Sequence, residues 1–287
     1  MKKETIRKIV TSILNKDIDF EVDRFHYEET KGFYKNIYKI ITKRKTYVLK
    51  ASKGDEEVIY KLLNNEVNSV PYYYGSYKYR NKIYTLVDFV NGKNAMKLDR
   101  KNLVKIIDVI IDVQNHFWNS NLTVGTSFAD ALGARENRLK FLPDELKAVY
   151  QKYIDCFKAT PLTFSHEDLL PFNVLINKSQ AYFIDFEVAG ILPYPTMLAR
   201  LIAHGEENKN ALFFLRKQDY KFAVEYYYEN FIKDKGIFKE EYLRTMKLFV
   251  YNELIEWVYV YNKNNYEHNE FYGKYYTKAL QLSIELF

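Results

Sequence analysis

Near the middle of the chain, three polar residues have the types and the spacing that phosphoryl transfer from a nucleotide requires. Asp168 and Asn173 lie in the segment 166–173 (HEDLLPFN), and Asp185 follows the apolar run 181–184 (AYFI). Such a transfer uses one carboxylate to receive or orient the proton of the attacking hydroxyl, and an amide and a second carboxylate to hold Mg²⁺ on the phosphates. We assign the first role to Asp168 and the metal roles to Asn173 and Asp185. Asp and Asn are also common turn residues, so a polar surface loop remains the alternative.

These motifs resemble those of the aminoglycoside phosphotransferase and choline kinase family. The catalytic loop of that family reads His-x-Asp-x-x-x-x-Asn, and its metal segment often reads Ile-Asp-Phe-Glu, as residues 184–187 do here. In protein kinases an Arg stands in place of Glu167 and a Gly in place of Glu187. The resemblance implies that His166 packs behind the loop and bonds to backbone, as a positioning residue. Glu187 is a candidate acid beside the metal or the substrate, and the sequence does not decide between these roles and a solvent-linked one.

Lys50 closes the apolar strand 46–50 (TYVLK), which resembles the Val-Ala-Ile-Lys strand of kinases. The resemblance implies that its ammonium group faces the α- and β-phosphates of the nucleotide and is held by a glutamate from the next helix. Helical phase favours Glu56 as this partner, because apolar residues follow it at offsets of three, four and seven. Glu57 is the alternative.

One loop and the end of one strand are candidates for further nucleotide contacts. Gly32 and Asn36 lie in a segment that reads Gly-x-x-x-Asn-x-Tyr, which resembles the phosphate-covering loop of the family's small-molecule kinases. Its backbone N–H groups could form a phosphate-binding concavity, although a plain hairpin turn fits the same residues. The resemblance also implies that Asp88 and Val90 present backbone groups to adenine where the two lobes join.

A late helical segment carries acidic and aromatic residues suited to a cationic acceptor. Glu253, Trp257 and Tyr261 fall on one face at helical spacing, and Glu256 lies beside that face. Acids combined with aromatic rings suit an ammonium group, whether of an aminoglycoside or of a choline-like compound. An amphipathic surface helix with its aromatic residues in the core is the alternative.

The remaining pattern predicts an α+β protein. Alternating runs predict strands, and runs with apolar residues at helical spacing predict helices. The first part of the chain has predicted strands at 36–41, 46–50, 72–79 and 82–90, and predicted helices at 3–14 and 55–64. The second part has predicted helices at 103–118, 143–158, 209–233, 239–263 and 266–286. This order resembles the bilobal protein-kinase-like fold, with a small antiparallel-sheet N-lobe over residues 1–90 and a larger, mostly helical C-lobe over residues 91–287.

Composition narrows the protein's class and its partners. Hydrophobic residues make up 47% and charged residues 28% of the 287 positions, which is ordinary for a globular protein. The net charge is +6, but lysines and arginines alternate with acids and form no basic stripe, so we expect no nucleic-acid partner. The single cysteine, Cys156, allows no intramolecular disulfide, which suits the cytoplasm. No run approaches the roughly 20 apolar residues that span a membrane. We expect a monomer or a homodimer.

The resemblance implies a kinase that transfers a phosphoryl group from ATP or GTP, with Mg²⁺, to a hydroxyl of a small molecule. An aminoglycoside-like aminated alcohol is the first expectation for the acceptor. The alternatives are a choline- or ethanolamine-type kinase and a nucleotide-binding scaffold without turnover. One departure marks the chain as divergent: relatives commonly carry Asp-Leu-Ala where this chain has Met197-Leu198-Ala199. That Asp is mainly structural in relatives, so its absence removes no catalytic group.

Overall fold

The computed structural model describes residues 1–26, 33–208, 211–265 and 269–286. The N-terminal part is an antiparallel sheet of five strands with two helices. The helices are α1 (Lys3–Leu14) and α2 (Glu56–Glu66). The strands are β1 (Glu21–His26), β2 (Phe33–Ile41), β3 (Thr46–Ala51), β4 (Tyr73–Tyr79) and β5 (Lys82–Asp88), in the spatial order β1-β2-β3-β5-β4. The prediction of a small antiparallel sheet with helices is confirmed.

The two faces of this sheet bury different partners because side chains alternate along each strand. On β3, Tyr47 and Leu49 pack with apolar residues of α1 such as Ile9. Val48 faces the other way and joins the main core of the protein. Lys50 shares the face of Val48, so strand periodicity alone turns its ammonium group away from α1.

The rest of the described chain is mostly helical. Its helices are α3 (Arg100–His116), α4 (Phe128–Arg138), α5 (Asp144–Ala159), α6 (Thr196–Ile202), α7 (Lys217–Tyr227), α8 (Lys239–Lys263) and α9 (Glu270–Leu286). Its short strands are β6 (Lys93–Asn94), β7 (Leu162–Ser165), β8 (Val174–Ile176), β9 (Ala181–Phe183) and β10 (Gly190–Pro193). β7 pairs with β10, and β8 lies between β6 and β9.

The helix predicted over 209–233 begins later and ends earlier than its apolar pattern suggested. Before α7, the backbone of Phe214 bonds to Met96 and Leu98, so this stretch is extended and pairs with the chain after β6. After α7 the chain continues through a π-helical turn over 228–232 and a 3₁₀ turn over 233–235. Backbone pairing over long sequence separation therefore overrides the local helical signal here.

The main core links α2 to the helical part of the protein. Ile59 and Leu63 of α2 are fully buried in the same cluster as residues of α3, α5 and α8. The ring of Tyr60 meets Phe186 edge-on, with centroids 5.1 Å apart. Met197, which stands where the resemblance predicts an Asp, is fully buried in this cluster and makes apolar contacts there. Among the described residues, no helix is both long and apolar enough to cross a membrane.

Candidate active site

The segment predicted to be catalytic follows β7 as a tight loop that is closed by hydrogen bonds within its own backbone. The Asp168 N–H donates to the His166 carbonyl at 2.7 Å, and the Leu170 N–H donates to the Asp168 carbonyl at 2.8 Å. Glu167 takes a left-handed conformation with φ of 59° to allow this turn. The Asn173 amide then donates back to the Asp168 carbonyl at 2.8 Å and to Asp168 Oδ2 at 3.2 Å. The five-residue spacing therefore places the Asp and Asn side chains against each other.

His166, which we predict to position the loop, is fully buried. Its Nε2 lies 2.8 Å from the Ile184 carbonyl, and its ring centroid is 4.8 Å from that of Phe186. Complete burial lowers the pKa of His166, an effect that the hydrogen bond to Ile184 only partly opposes. A neutral ring that donates from Nε2 to the carbonyl satisfies this arrangement. His166 thus ties the catalytic loop to the strand that leads into Asp185.

The β8–β9 hairpin brings the two predicted metal ligands to one end. Val174 pairs with Phe183 in this hairpin, and the Ile184 N–H donates to the Asn173 carbonyl at 3.1 Å. Asp185 follows with φ of 69°, a left-handed conformation that turns the chain sharply after β9. The hairpin register therefore fixes Asn173 and Asp185 as neighbours although they are far apart in the chain.

Lys50 joins the sheet, α2 and the metal segment in a single charge cluster. Its Nζ lies 2.8 Å from Glu56 Oε1 and also contacts Asp185 Oδ1. Burial disfavours the ammonium form, but the two carboxylates outweigh it and raise the pKa of Lys50. Burial also raises the pKa of Glu56, and the charge of Lys50 only partly offsets this. Glu57 instead accepts hydrogen bonds from Ser76 and Tyr73, so Glu56 is the glutamate that lies against Lys50.

The donor set around Asp185 suits a metal that arrives with a nucleotide. Among the described residues, no group of three or more His, Cys, Asp or Glu is arranged to hold a metal ion. One carboxylate and one amide, from Asp185 and Asn173, remain as oxygen donors. Mg²⁺ commonly takes one or two carboxylates and completes its shell with phosphate oxygens and water. The Asp185 side chain is 41% exposed, so it is accessible to such a partner.

The residues predicted to contact adenine, Asp88 and Val90, lie at and just beyond the end of β5. The Asp88 carboxylate pairs with Lys45 at 2.7 Å, and its N–H donates to the Tyr72 carbonyl, so this N–H is already used within the sheet. Val90 lies just beyond β5, and its carbonyl accepts from Gly92. Gly32 lies outside the described residues.

Asn36 and Glu187 make contacts other than those predicted with the nucleotide, metal or substrate. Asn36 has φ of 62° and lines a depression of about 210 Å³ together with Met1 and Tyr38, on the α1 side of the sheet. The structure therefore places Asn36 away from the face that carries Lys50, because its left-handed backbone and the register shift between β1 and β2 interrupt the strand alternation at this point. Glu187 pairs with Lys53 at 2.8 Å, in the loop before α2. Its carboxylate thus ties the metal segment to that loop.

A residue that the sequence did not reveal connects the catalytic loop to the predicted acceptor helix. Arg200 of α6 holds Asp168 Oδ1 through Nε at 3.2 Å and Nη2 at 2.8 Å. Its Nη1 lies 2.8 Å from Glu253 and 2.9 Å from Glu256. Burial opposes ionisation of Glu253, but the charge of Arg200 outweighs it and lowers the pKa of Glu253. One guanidinium group thereby holds three carboxylates.

Two further arginines, both on α4, support this region. Arg135 is almost fully buried and holds both oxygens of Glu167, at 2.9 and 3.2 Å. Arg138 lies 3.2 Å from Glu256. The catalytic loop of this chain thus carries a glutamate anchored by an arginine from another helix, with charges opposite to those of the protein-kinase loop.

The predicted aromatic residues form a cluster beside these acids. The Trp257 ring stacks on Tyr275 of α9 with centroids 5.6 Å apart and an interplanar angle of 16°. The ring centroid of Tyr261 lies 6.3 Å from that of Trp257. His204 meets the Trp257 and Tyr275 rings edge-on, and its Nε2 is 3.7 Å from Glu253. The acids predicted on this helix therefore pair with Arg200, and its aromatic residues pack against α9.

Comparison with known proteins agrees with this architecture. No family model matches the chain. Two curated relatives, both named Protein LicA and both from Haemophilus influenzae, are each 25% identical over 213 residues. The alignments cover 70% of this chain and 76% and 60% of the two relatives.

Solved structures show the same fold over nearly the whole chain. The comparison with the choline kinase LicA from Streptococcus pneumoniae gives a TM-score of 0.61 at 13% identity. It covers 98% of this chain and 98% of that chain. An AMP-bound spectinomycin phosphotransferase has a TM-score of 0.60 at 14% identity, with 99% of this chain and 98% of that chain covered. The fold is that of the protein-kinase-like phosphotransferases. The predicted resemblance to the aminoglycoside phosphotransferase and choline kinase family is confirmed, and every neighbour named here agrees with the prediction of a small-molecule kinase.

Proposed function

We propose that this protein is an ATP- and Mg²⁺-dependent kinase that phosphorylates the hydroxyl group of a small alcohol with one ammonium group, of the choline or ethanolamine class. The observation that supports it best is the position of Asp168. Its carboxylate contacts Asn173 on the side of the proposed metal and Arg200 on the side of the acidic and aromatic cluster. A hydroxyl held at Asp168 would therefore lie between a nucleotide site and a cation site.

The residues of the nucleotide side have distinct roles in this proposal. Lys50, held by Glu56, would bind the α- and β-phosphates. Asn173 and Asp185 would hold Mg²⁺, which would supply positive charge next to the phosphates. Asp168 would accept or orient the proton of the acceptor hydroxyl, and it is 35% exposed and thus accessible to an acceptor. The AMP-bound neighbours support nucleotide binding.

The charges at the acceptor side favour a compact monocation over a polycationic aminoglycoside. Glu253 and Glu256 are both already paired with arginines, so few carboxylates remain for several ammonium groups. Aromatic faces such as those of Trp257 and Tyr275 attract a quaternary ammonium group, which cannot donate hydrogen bonds. The likeness to a choline kinase named LicA supports the same class.

An acceptor panel tests this function. The protein is incubated with ATP or GTP, with and without Mg²⁺, and with choline, ethanolamine, spectinomycin or kanamycin, and phosphorylated products are identified by mass spectrometry. We expect a phosphorylated choline or ethanolamine whose formation requires Mg²⁺. Phosphorylation of an aminoglycoside alone would instead establish the aminoglycoside-like acceptor, which is the first expectation from the sequence. Nucleotide binding without any phosphorylated acceptor, across a panel extended to other amino alcohols, would favour the scaffold alternative.

A further inference from the structure

We propose that Arg200 determines acceptor specificity by limiting the cation site to a single positive charge. This inference rests on the proposed function. Arg200 is the only charged residue in α6, whose other residues are all buried. A charge on such a helix needs compensating partners, and its guanidinium group finds three of them in Asp168, Glu253 and Glu256.

The charge balance of the cluster supports this role. Asp168, Glu253 and Glu256 carry three negative charges, whereas Arg200 and Arg138 carry two positive ones, with the His204 ring beside Glu253 counted as neutral. One net negative charge remains, which matches one ammonium group. Without Arg200 the same carboxylates would present two net negative charges and would attract a second ammonium group. Arg200 thus acts on specificity through the carboxylates that it holds.

A second observation indicates that a ligand enters at this cluster. The His204 side chain is only 4% exposed, yet neither ring nitrogen has a hydrogen-bond partner among the described residues. Its Nε2 is 3.7 Å from Glu253, which is too long for a hydrogen bond. Buried polar groups are normally paired. The ring faces Glu253, Trp257 and Tyr275, so an ammonium N–H group between the acids and the aromatic rings, such as that of ethanolamine, would supply the missing hydrogen bond.

Cation binding can be measured without turnover through tryptophan fluorescence. The chain has two tryptophans, and Trp118→Phe leaves Trp257 as the only one. Trp118 packs on Tyr194 and Phe231, where a phenyl ring keeps the aromatic contact. In this background, tetramethylammonium supplies one positive charge, and a series of bis(trimethylammonium)alkanes supplies two at increasing separation. The quantity of interest is the ratio of dication to monocation affinity.

Arg200→Gln should shift this ratio by about tenfold in favour of the best dication, since one more unpaired negative charge is exposed to it. Arg200→Lys, which restores one positive charge, should return the ratio towards that of the parent. Lys247→Gln is the matched control. It removes one positive charge from an exposed pair with Glu285 and should leave the ratio unchanged.

Two outcomes separate this inference from the proposed function. If the parent protein binds neither cation, both the proposed function and the role of Arg200 are wrong. If the parent binds tetramethylammonium but Arg200→Gln leaves the ratio unchanged, only the role of Arg200 is overturned. If Arg200→Gln does not fold, Glu253→Gln tests the charge balance instead, because it removes the net negative charge of the cluster while Arg200 stays. It should weaken tetramethylammonium binding about tenfold, and unchanged binding would overturn the inference.

Discussion

The two sides of the proposed active site are both charge clusters built around one cation, but they differ in construction. On the nucleotide side, Lys50 of the sheet contacts Glu56 and Asp185 through a single ammonium group. On the acceptor side, the planar fork of Arg200 holds Asp168 and two glutamates of α8 at once. An ammonium is a point charge on a flexible stem, whereas a guanidinium group fixes several partners in defined directions.

The location of each cluster adds to this difference. The Lys50 cluster joins the N-terminal sheet, α2 and the segment after β9, so it spans the two halves of the fold. The Arg200 cluster connects the catalytic loop, α6 and α8 within the helical part alone. We infer that the nucleotide side can rearrange when phosphates and metal replace the contact between Lys50 and Asp185. The acceptor side is held in one arrangement before any ligand binds.

The largest expected effect comes from Asp168, which contacts both sides. Asp168→Asn should lower turnover by about 10²- to 10⁴-fold, because the amide cannot accept the proton of the acceptor hydroxyl. Nucleotide affinity should change little, since Lys50 and Asp185 remain. Steady-state kinetics and nucleotide titration measure the two quantities separately. Asp155→Asn, on the exposed face of α5, is a matched control, and near-parental turnover of Asp168→Asn would exclude the assigned role.

The second prediction tests whether Asp185 belongs to the nucleotide side. Asp185→Ala should abolish the dependence of nucleotide affinity on Mg²⁺, since the phosphates lose their bridging cation. Nucleotide titrations with and without Mg²⁺ measure this dependence, and the acceptor-side affinity for tetramethylammonium should stay unchanged as the control. A Mg²⁺ effect equal to that of the parent would show that Asp185 is not a metal ligand.

The sequence indicated the contacts of the Asp168–Asn173 loop and of Lys50 with Glu56, but not those of Arg200, for a physical reason. The Asp168–Asn173 loop and the phase of Glu56 on α2 are local features, which spacing can reveal. Arg200 reaches carboxylates that are 32, 53 and 56 positions away, which only the folded chain brings together. One signal was present: the segment 196–202 contains a single charged residue, Arg200, among residues that are otherwise uncharged and mostly apolar, and such a charge requires a partner when the segment is buried.

Other differences between prediction and structure have similar origins. The strand that contains Asn36 was recognised, but its local conformation turns Asn36 towards the α1 side. The helix predicted over 209–233 begins only at Lys217, because the preceding residues pair with the chain after β6. The lobe boundary between residues 90 and 91 stays a prediction. Long-range backbone pairing and the partners of buried charges are thus the features that local patterns did not show.

The third prediction concerns the aromatic part of the acceptor side. Trp257→Ala should raise the acceptor KM by about one to two decades while leaving the nucleotide KM unchanged, because the cation loses an aromatic face. Trp257→Phe keeps such a face and should restore most of the affinity. Thermal unfolding must show that both variants are folded, since Trp257 also stacks on Tyr275. A folded alanine variant with the parental acceptor KM would remove Trp257 from the site.

The smallest expected effect is a pH dependence of the free energy of unfolding. It should differ between His166, behind the Asp168 loop, and Glu253, on the acceptor side. The pKa of His166 is lowered in the folded protein, so the unfolded chain binds a proton first as the pH falls. Stability from the neutral ring is therefore complete above the ordinary histidine pKa of about 6.5 and declines below it, by at most about 1.4 kcal/mol per pH unit. Glu253, whose pKa is also lowered, loses its contribution only below the ordinary glutamate pKa of about 4.3.

Urea unfolding between pH 8 and pH 5 can measure this difference. His166→Asn keeps an amide donor for the Ile184 carbonyl but does not titrate. The stability gap between the parent and this variant should shrink as the pH falls below about 6.5. The exposed Asp155→Asn variant should show a constant gap over the same range. If the gap between the parent and His166→Asn also stays constant, the neutral buried state of His166 is wrong.

The most direct test of the proposed function follows the γ-phosphate itself. Nucleotide labelled at the γ-position is incubated with Mg²⁺, choline or ethanolamine and stoichiometric protein, and the label is traced by chromatography over a single turnover. We expect the label on the hydroxyl of the amino alcohol in the parent protein, and greatly slowed transfer with Asp168→Asn. Label found only in unreacted nucleotide or in inorganic phosphate, with the nucleotide and the amino alcohol both shown to bind, would contradict phosphoryl transfer between the Lys50 and Arg200 clusters.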